Sequence, residues 1–505
     1  MKSELYPSPY LEDAQVSENT FLNKTPEAAE IPTWESALDR LPRPVWDGHE
    51  DSLRAWEHAW RIAFANLHNP TEENGFVSPY LDAAFNNDLF LWDSCFMLMF
   101  GIYADAVFPF QKTLDNFYAA QLPDGFISRQ LHENNGQAKW MRFDPVSTGP
   151  NLPGWCEWEY YQRTGNRDRL EKVYPALSAY HRWLRRNRTW QDGTYWSSGW
   201  GSGMDNQPRL PAEAGINRHQ QEAEHHGWMS WIDTNFQQVL SCNMLLAIAE
   251  ELGQDSNRAE LAEERDALIR IINETMWSEE EGFYFDRYRD SSLASAKTIG
   301  AYWGLLADAV PPERTESMIR HLTDPRTFGA PHPVPTLSRD SEGYEEDGGY
   351  WRGGVWAPTN YMVLRGLTRK GRNDLAVSLG RRHYDCMLQV WRDTGTFWEN
   401  YAPESCARGG RARPEFVGWT GLTPITVLIE YVLGIQMDVP NNTIHWYISN
   451  TERHGVENLR FGDREISLIC DARASSEDAP VIHTKNCEGI RVIPHPVRLQ
   501  EVQPE

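Results

Sequence analysis

The feature that most constrains the fold is an alternation that repeats along most of the chain. From about residue 51 to residue 434, a loop rich in Gly or Pro is followed by a helical stretch, again and again. Residues 51–68 set the pattern: Leu53, Trp56, Trp60, Ile62, Ala63 and Ala65 recur at the spacing of one helix face, with Asp51 as the expected cap. Further helices are predicted at 92–105, 109–120, 149–164, 168–187, 230–253, 256–275, 295–308, 313–323, 354–370, 373–392 and 419–434. Strand patterning is thin in this region. About eleven or twelve helices, mostly paired, with no strict repeat period, point to a closed toroid of hairpins rather than a solenoid.

After Gly434 the pattern changes. NNTIHWYISN, GVENLRFGDREISLICDAR and PVIHTKNCEGIRVIPHP alternate β-branched and polar residues around turn dipeptides, which reads as short strands. The predicted organisation is an extended arm at 1–50, a mainly helical domain at 51–436 and a small β-rich appendage at 437–505.

Charge narrows the partners. Lys and Arg number 48 against 72 Asp and Glu, a net charge of −24. That argues against nucleic acid and anionic membrane, both of which need clustered cations. No run of ~18 apolar residues suggests a membrane span. The N-terminal stretch has no apolar signal region. The seven cysteines are scattered without a CxxC pair, which predicts reduced thiols in a cytoplasmic protein. Twenty-two tryptophans are many, and several stand beside Gly, Asp or Arg rather than in apolar runs. They suit a carbohydrate cleft. The sequence does not specify an oligomeric state.

Five short stretches carry candidate chemistry. In YWSSGWGSGMDNQP, residues 195–208, three glycines and two tryptophans surround Asp205, the candidate acid. A carboxylate on a constrained aromatic loop is desolvated, which raises its pKa toward that of a general acid. In FNNDLFLWDSCFM, residues 85–97, Trp92 and Asp93 open a helix as a stacking face and a hydroxyl acceptor; capping by Asp93 or Asp88 is the plainer alternative. LPDGFISRQ, residues 122–130, turns at Pro-Asp-Gly and presents Arg129 and Gln130. GGYWRGGVWAPTNY, residues 348–361, offers Arg352 and Trp356 among four glycines. GTFWENYAPES, residues 395–405, holds Glu399 between Trp398 and Tyr401, with Trp419 following in GWTG. Glu404, Glu345, Glu346 and Asp233 compete for the second carboxylate role. His225 and His226 are adjacent, with His219 six residues earlier; that spacing is wrong for a metal on one helix face, so no metal is expected.

In this order and spacing, LWDSCF, GWGSGMDN, YWRGGVWAPTNY, WENYAP and GWTGLTP resemble the glycosidases of glycoside hydrolase family 63, in particular their mannosylglycerate-hydrolase-like branch; the trehalases are similar in plan. The resemblance covers about residues 50–435. It implies an (α/α)6 barrel and hydrolysis of an α-glucoside or α-mannoside with inversion. It implies Asp205 as general acid and Glu399 as general base; a proton and a water suffice for that chemistry, so no cofactor is expected. Trp92, Asp93, Gln130, Trp200, Gly203 and Trp356 would line the sugar subsite, with Arg352 and Trp419 beside it. The chain departs from the family in its β-rich tail and in ESCARGGRARPE, where Arg408, Arg411 and Arg413 would face an anionic aglycone or solvent. The competing readings are a phosphorylase, epimerase or lyase on the same toroid, or a carbohydrate-binding protein without turnover.

Overall fold

The structure, a computed structural model, describes residues 12–82, 85–210 and 223–499. It is rich in helix, with small sheets. The expected helices form, with shifted ends. They are α1 (Glu50–Ala65), α2 (Leu91–Gly101), α3 (Thr113–Ala119), α4 (Pro153–Thr164), α5 (Arg167–Asn187), α6 (Ile232–Leu252), α7 (Arg258–Thr275), the short α8 (Trp303–Leu306), α9 (Pro312–Thr323), α10 (Ala357–Arg369) and α11 (Asn373–Thr394). A last apolar helix, Thr423–Val432, is wound as a π-helix.

Two kinds of helix alternate. Every residue of α2 is buried, and Asn235, Gln237 and Gln238 of α6 are buried along with its apolar residues. A helix covered on all sides sits in the interior. By contrast α1, α5 and α11 bury one face and show the other to solvent. Neighbours α2–α3, α4–α5, α6–α7 and α10–α11 pack as pairs. The interior helices touch in sequence: α2 on α4, α4 on α6, α6 on α8, α8 on α10, and α10 on the last helix, which packs back on α2 and on α1. A buried ionic network locks part of this circuit. Arg163 of α4 meets Glu159 and Glu430, while Arg365 of α10 meets Glu159, and Tyr361 bridges Arg163 and Glu430 at 2.9 and 3.0 Å.

Asp51 does not cap α1. The N-cap position is His49 and carries no side-chain bond; Asp51 lies in the first turn and pairs with Arg54 and Arg392 instead. A carboxylate there still favours the positive helix end.

Within the expected arm, the described residues 12–50 are not simply extended. They form short helical turns, such as Ala14–Glu18 and Trp34–Ala37, and then strand β1 (Arg43–Trp46). Before α2 lies β2 (Asp88–Phe90), paired antiparallel with β3 (Gln130–His132). The C-terminal strands are β4 (Ile435–Asp438), β5 (Thr443–Ile448), β6 (His454–Phe461), β7 (Arg464–Cys470), β8 (Ile482–Lys485) and β9 (Arg491–Pro496). They make a four-stranded sheet, β1-β6-β7-β8, and a three-stranded one, β9-β5-β4. The arm thus contributes an edge strand to the tail. Trp446, fully buried, donates its indole N–H to the Leu433 carbonyl, and Asn450 donates to that of Val432, so the tail satisfies the open end of the last helix.

The expectation of seven reduced thiols is corrected at two positions. Cys386 of α11 is bonded to Cys406, with Cα atoms 4.7 Å apart. The loop after Glu399 folds back onto α11 and brings together two cysteines that no short spacing motif links. Cys95, Cys156, Cys242 and Cys470 are buried thiols, and Cys487 is partly exposed. Among the described residues, no helix is long and apolar enough to cross a membrane.

Candidate active site

The loop that carries Asp205 is built to be rigid. Ser198 caps a single helical turn, Gly199–Ser202, by accepting from the Gly201 amide at 3.1 Å. Gly203 ends that turn at φ +78°, and a Cβ there would lie 2.9 Å from the Trp92 ring. Only glycine satisfies both demands. Beyond Asp205, Gln207 donates to the Thr336 carbonyl at 2.8 Å. Arg209, fully buried, then makes bidentate pairs with Asp233 and with Asp286 at 2.6–2.9 Å. Asp233 is thereby engaged and withdrawn from the contest for a catalytic role.

Glu399 sits on a second loop. Its amide donates to Arg413 O at 2.9 Å, and the next turn is stitched to the 348–356 loop by reciprocal Val355–Tyr401 amide bonds of 2.8 and 3.0 Å. Thr420 holds the Trp398 carbonyl at 2.9 Å, and the Trp419 indole approaches that of Glu399 at 3.4 Å. The competing Glu404 is occupied by Arg339 and Tyr344, and Glu345 faces Arg352 at 3.8 Å. Neither Glu345, Glu346 nor Glu404 reaches the cavity described next.

Asp205 and Glu399 open into one cavity of about 330 Å³. Trp92, Asp93, Gln130, Trp200, Gly203 and Trp419 also line it. Trp356 and Arg352 do not. Trp356 lies fully buried behind the wall, stacked on Trp351 at 3.8 Å and 3°, and Arg352 turns to Glu345. The cavity also takes in Phe85, Phe90, Arg129, Lys139, Trp140, Tyr350 and Arg413. Lys139 and Trp140 were not legible as site residues: they sit in a polar turn with no motif, and reach the site because the chain folds back on β3, Ala138 bridging Leu131 and the Lys139 amide donating to Gln130 O at 3.1 Å. Of the three loop arginines, Arg413 lines the cavity, 5.1 Å over the Phe85 ring, whereas Arg408 lies over Trp398 at 5.0 Å.

Asp93 and Asp88 are not caps. Phe90 occupies the N-cap position of α2, and Asp88 on β2 is bound by Gln130, His132 and Lys139. Asp93 Oδ1 and the Trp92 indole N–H are buried and have no partner among the described residues. A buried acceptor and donor beside an aromatic face suit sugar hydroxyls, and the face itself suits sugar C–H groups. Gln130 is held in place, donating to Asp88 at 2.6 Å and accepting from the Trp140 indole at 3.2 Å.

Burial raises both carboxyls above their ordinary range. Burial raises Asp205 to about 7, with the Arg129 guanidinium opposing and the Glu399 charge adding to the rise. Burial also raises Glu399, but the charge of Arg413 and a hydrogen bond from Tyr350 work for its ionised form. Asp93 is pushed well above the carboxylate range by burial, Asp82 and Asp205 adding. Burial thus raises both carboxyls, and two buried carboxyls opening into one cavity are the material of acid–base chemistry.

His225 and His226 serve a turn: their Nδ1 atoms accept from the Gly227 and Trp228 amides. His219 lies outside the described residues. One cluster among the described residues has the donors of a metal site, His181, Cys242 and Glu264, away from the cavity. It is closed on itself. Burial would raise Glu264, but His181 and the Tyr195 hydroxyl bring it down to about 2, and burial pushes the Cys242 thiol up.

The family model of the mannosylglycerate hydrolase MGH1-like glycoside hydrolase domain matches residues 87–420. An uncharacterised protein of Borreliella burgdorferi is 27% identical over 389 residues, covering 75% of this chain and 78% of that one. A probable mannosyl-oligosaccharide glucosidase of Schizosaccharomyces pombe is 26% identical over 288 residues, covering 50% of this chain and 34% of the relative. Among solved structures, a GH63 mannosylglycerate hydrolase from Thermus thermophilus, in complex with glucose, aligns with a TM-score of 0.60 at 20% identity, over 74% of this chain and 99% of that one.

Proposed function

The chain belongs to the mannosylglycerate hydrolase MGH1-like glycoside hydrolases, and from that premise we propose that it hydrolyses an α-glucoside or α-mannoside with inversion, Asp205 acting as general acid and Glu399 as general base. The observation that carries the reading is the pair itself: two carboxylates on separate loops, opening into one cavity, with the Asp205 carboxyl raised to about 7. Asp205 protonates the glycosidic oxygen as the bond to the anomeric carbon breaks. Glu399 takes a proton from a water that attacks the opposite face. Inversion needs the two carboxyls about 6.5–9.5 Å apart, against about 5–5.5 Å for retention.

In this reading Trp92, Asp93, Gln130, Trp200, Gly203 and Trp419 hold the non-reducing sugar, and Trp356 and Arg352 support the wall from behind. The aglycone lies toward Arg413, whose guanidinium lines the cavity without an ion-pair partner among the described residues; an acidic aglycone fits it. The circuit of helix contacts supports an (α/α)6 toroid at 51–436 flanked by an arm domain at 1–50 and a β-rich appendage at 437–505, of which the described residues 12–50 and 437–499 pack on it. Substituting Asp205→Asn tests the assignment: turnover of an unactivated α-glycoside, whose leaving oxygen needs the proton, is lost while substrate binding persists. Unchanged turnover would refute Asp205 as the acid.

A further inference from the structure

The loop 348–354 is held in a conformation that its sequence resists. Tyr350 has φ +72°, a region that side-chain-bearing residues rarely adopt. Such a conformation is strained and persists only where the surroundings impose it. Three contacts impose it here. The Asn206 amide N–H donates to the Gly349 carbonyl at 2.9 Å, and its oxygen accepts from the Trp351 amide at 2.9 Å, so one side chain grips the peptides on both sides of Tyr350. The Trp356 indole donates to the Tyr350 carbonyl at 3.0 Å. A Cβ on Gly354 would fall 2.1 Å from that same carbonyl, so the turn closes only around glycine.

The result of this geometry is the place of the phenol. Its ring packs edge-on against Trp356 with centroids 4.9 Å apart, and its hydroxyl donates to Glu399 Oε1 at 3.2 Å inside the cavity. We infer that Tyr350 is a positioning residue for Glu399, and that Asn206, the neighbour of Asp205 in the chain, holds it in register with the acid. The inference rests on the reading of Glu399 as the base. One oxygen of the carboxylate is fixed by the phenol, and the other is left to take a proton from water. Asn206 ties the Asp205 loop to the 348–354 loop, and Tyr350 ties that loop to Glu399, so a short chain of hydrogen bonds links the two carboxyl-bearing loops.

The hydroxyl stays a donor throughout, because burial pushes it far up and the charges of Asp205, Glu399 and Asp93 add to that. The groups that face Glu399 are Tyr350, Arg413 and, across the cavity, Asp205. Tyr350 and Arg413 favour its ionised form, while Asp205, when ionised, opposes it. Removing the phenol hydroxyl removes one of the two favourable contributions, and the Glu399 pKa rises.

The test is the pH dependence of kcat/KM for Tyr350→Phe, Asn206→Ala and the double variant, with thermal melting as the check on folding. Tyr350→Phe keeps the ring and its packing. The expected result is a fall in kcat on the order of 10- to 100-fold, KM little changed, with the acid limb of the profile moved to higher pH. Asn206→Ala moves the limb in the same direction, and the double variant moves it no further than Tyr350→Phe alone. A wild-type acid limb in Tyr350→Phe overturns the inference, even if kcat falls, and so does a limb that Asn206→Ala leaves in place. Glu399→Gln separates the two levels: if it turns over normally, the base assignment fails and this inference with it. If Glu399→Gln is inactive and Tyr350→Phe behaves as wild type, only the positioning role of Tyr350 fails.

Discussion

At the scale of single residues, the account turns on one carboxyl that is kept protonated. Asp205 rises to about 7 through burial, against roughly 3.9 for an unfolded chain. As the acid it works only with its proton on, so kcat/KM falls as pH rises through about 7, measurable as the alkaline limb of the rate profile. The same shift has a consequence for stability. The folded protein binds this proton more tightly than the unfolded chain does, so stability is greatest below the unfolded pKa and is lost as pH rises toward the folded one. Asp205→Asn removes the ionisable group. Its melting temperature relative to the wild type is therefore predicted to be higher at about pH 8 than at about pH 5; an equal difference at both would contradict the burial argument. Much at this scale was legible in the sequence. Glycine, tryptophan and a lone carboxylate in one loop marked Asp205, and Glu399 stood out among aromatics. What the sequence hid was which carboxylates are already spent. Asp233 and Glu404 carry the same chemistry as Glu399, and only the fold sets Arg209 against the first and Arg339 against the second.

At the scale of elements, the helices were legible because each buries a face at helical spacing, and that periodicity is local. Their ends were less so. Asp51 has the residue type of a cap, but the chain enters α1 from β1 through a turn that puts His49 in that position. The helix predicted over 295–308 is reduced to a 3-10 turn, Ile299–Tyr302, and the short α8. Nor does periodicity reveal the ions inside the helix pairs. Arg163 reads as an ordinary polar position near the end of α4, yet it is buried against Glu430, Glu159 and Tyr361. Replacing it with methionine would leave two carboxylates buried with less compensation. We predict a loss of about 3–5 kcal/mol in chemical denaturation, with the loss shared by Arg163→Lys only in part. A change within the range of a surface substitution would show that the network does not clamp the interior helices.

At the scale of the whole molecule, the tail does more than append. β1 from the first 50 residues is hydrogen-bonded to β6, and the tail covers the open carbonyls at the end of the last helix. Strand pairing between the two ends of the chain leaves no trace in local pattern, and the sequence could indicate only that strands begin after Gly434. A chain ending at residue 436 is predicted to melt well below the full chain, or to collect in the insoluble fraction. An unchanged melting temperature would make the tail a passive addition. The central claim, inversion by Asp205 and Glu399 in one cavity, is tested most directly by following the anomer released by the purified protein from a panel of α-glucosides and α-mannosides by NMR, with neutral and acidic aglycones. The account predicts that the β-anomer of the free sugar appears first and only later mutarotates. An α-anomer appearing first would contradict it, because it would require the two carboxylates to act as nucleophile and acid–base rather than as base and acid.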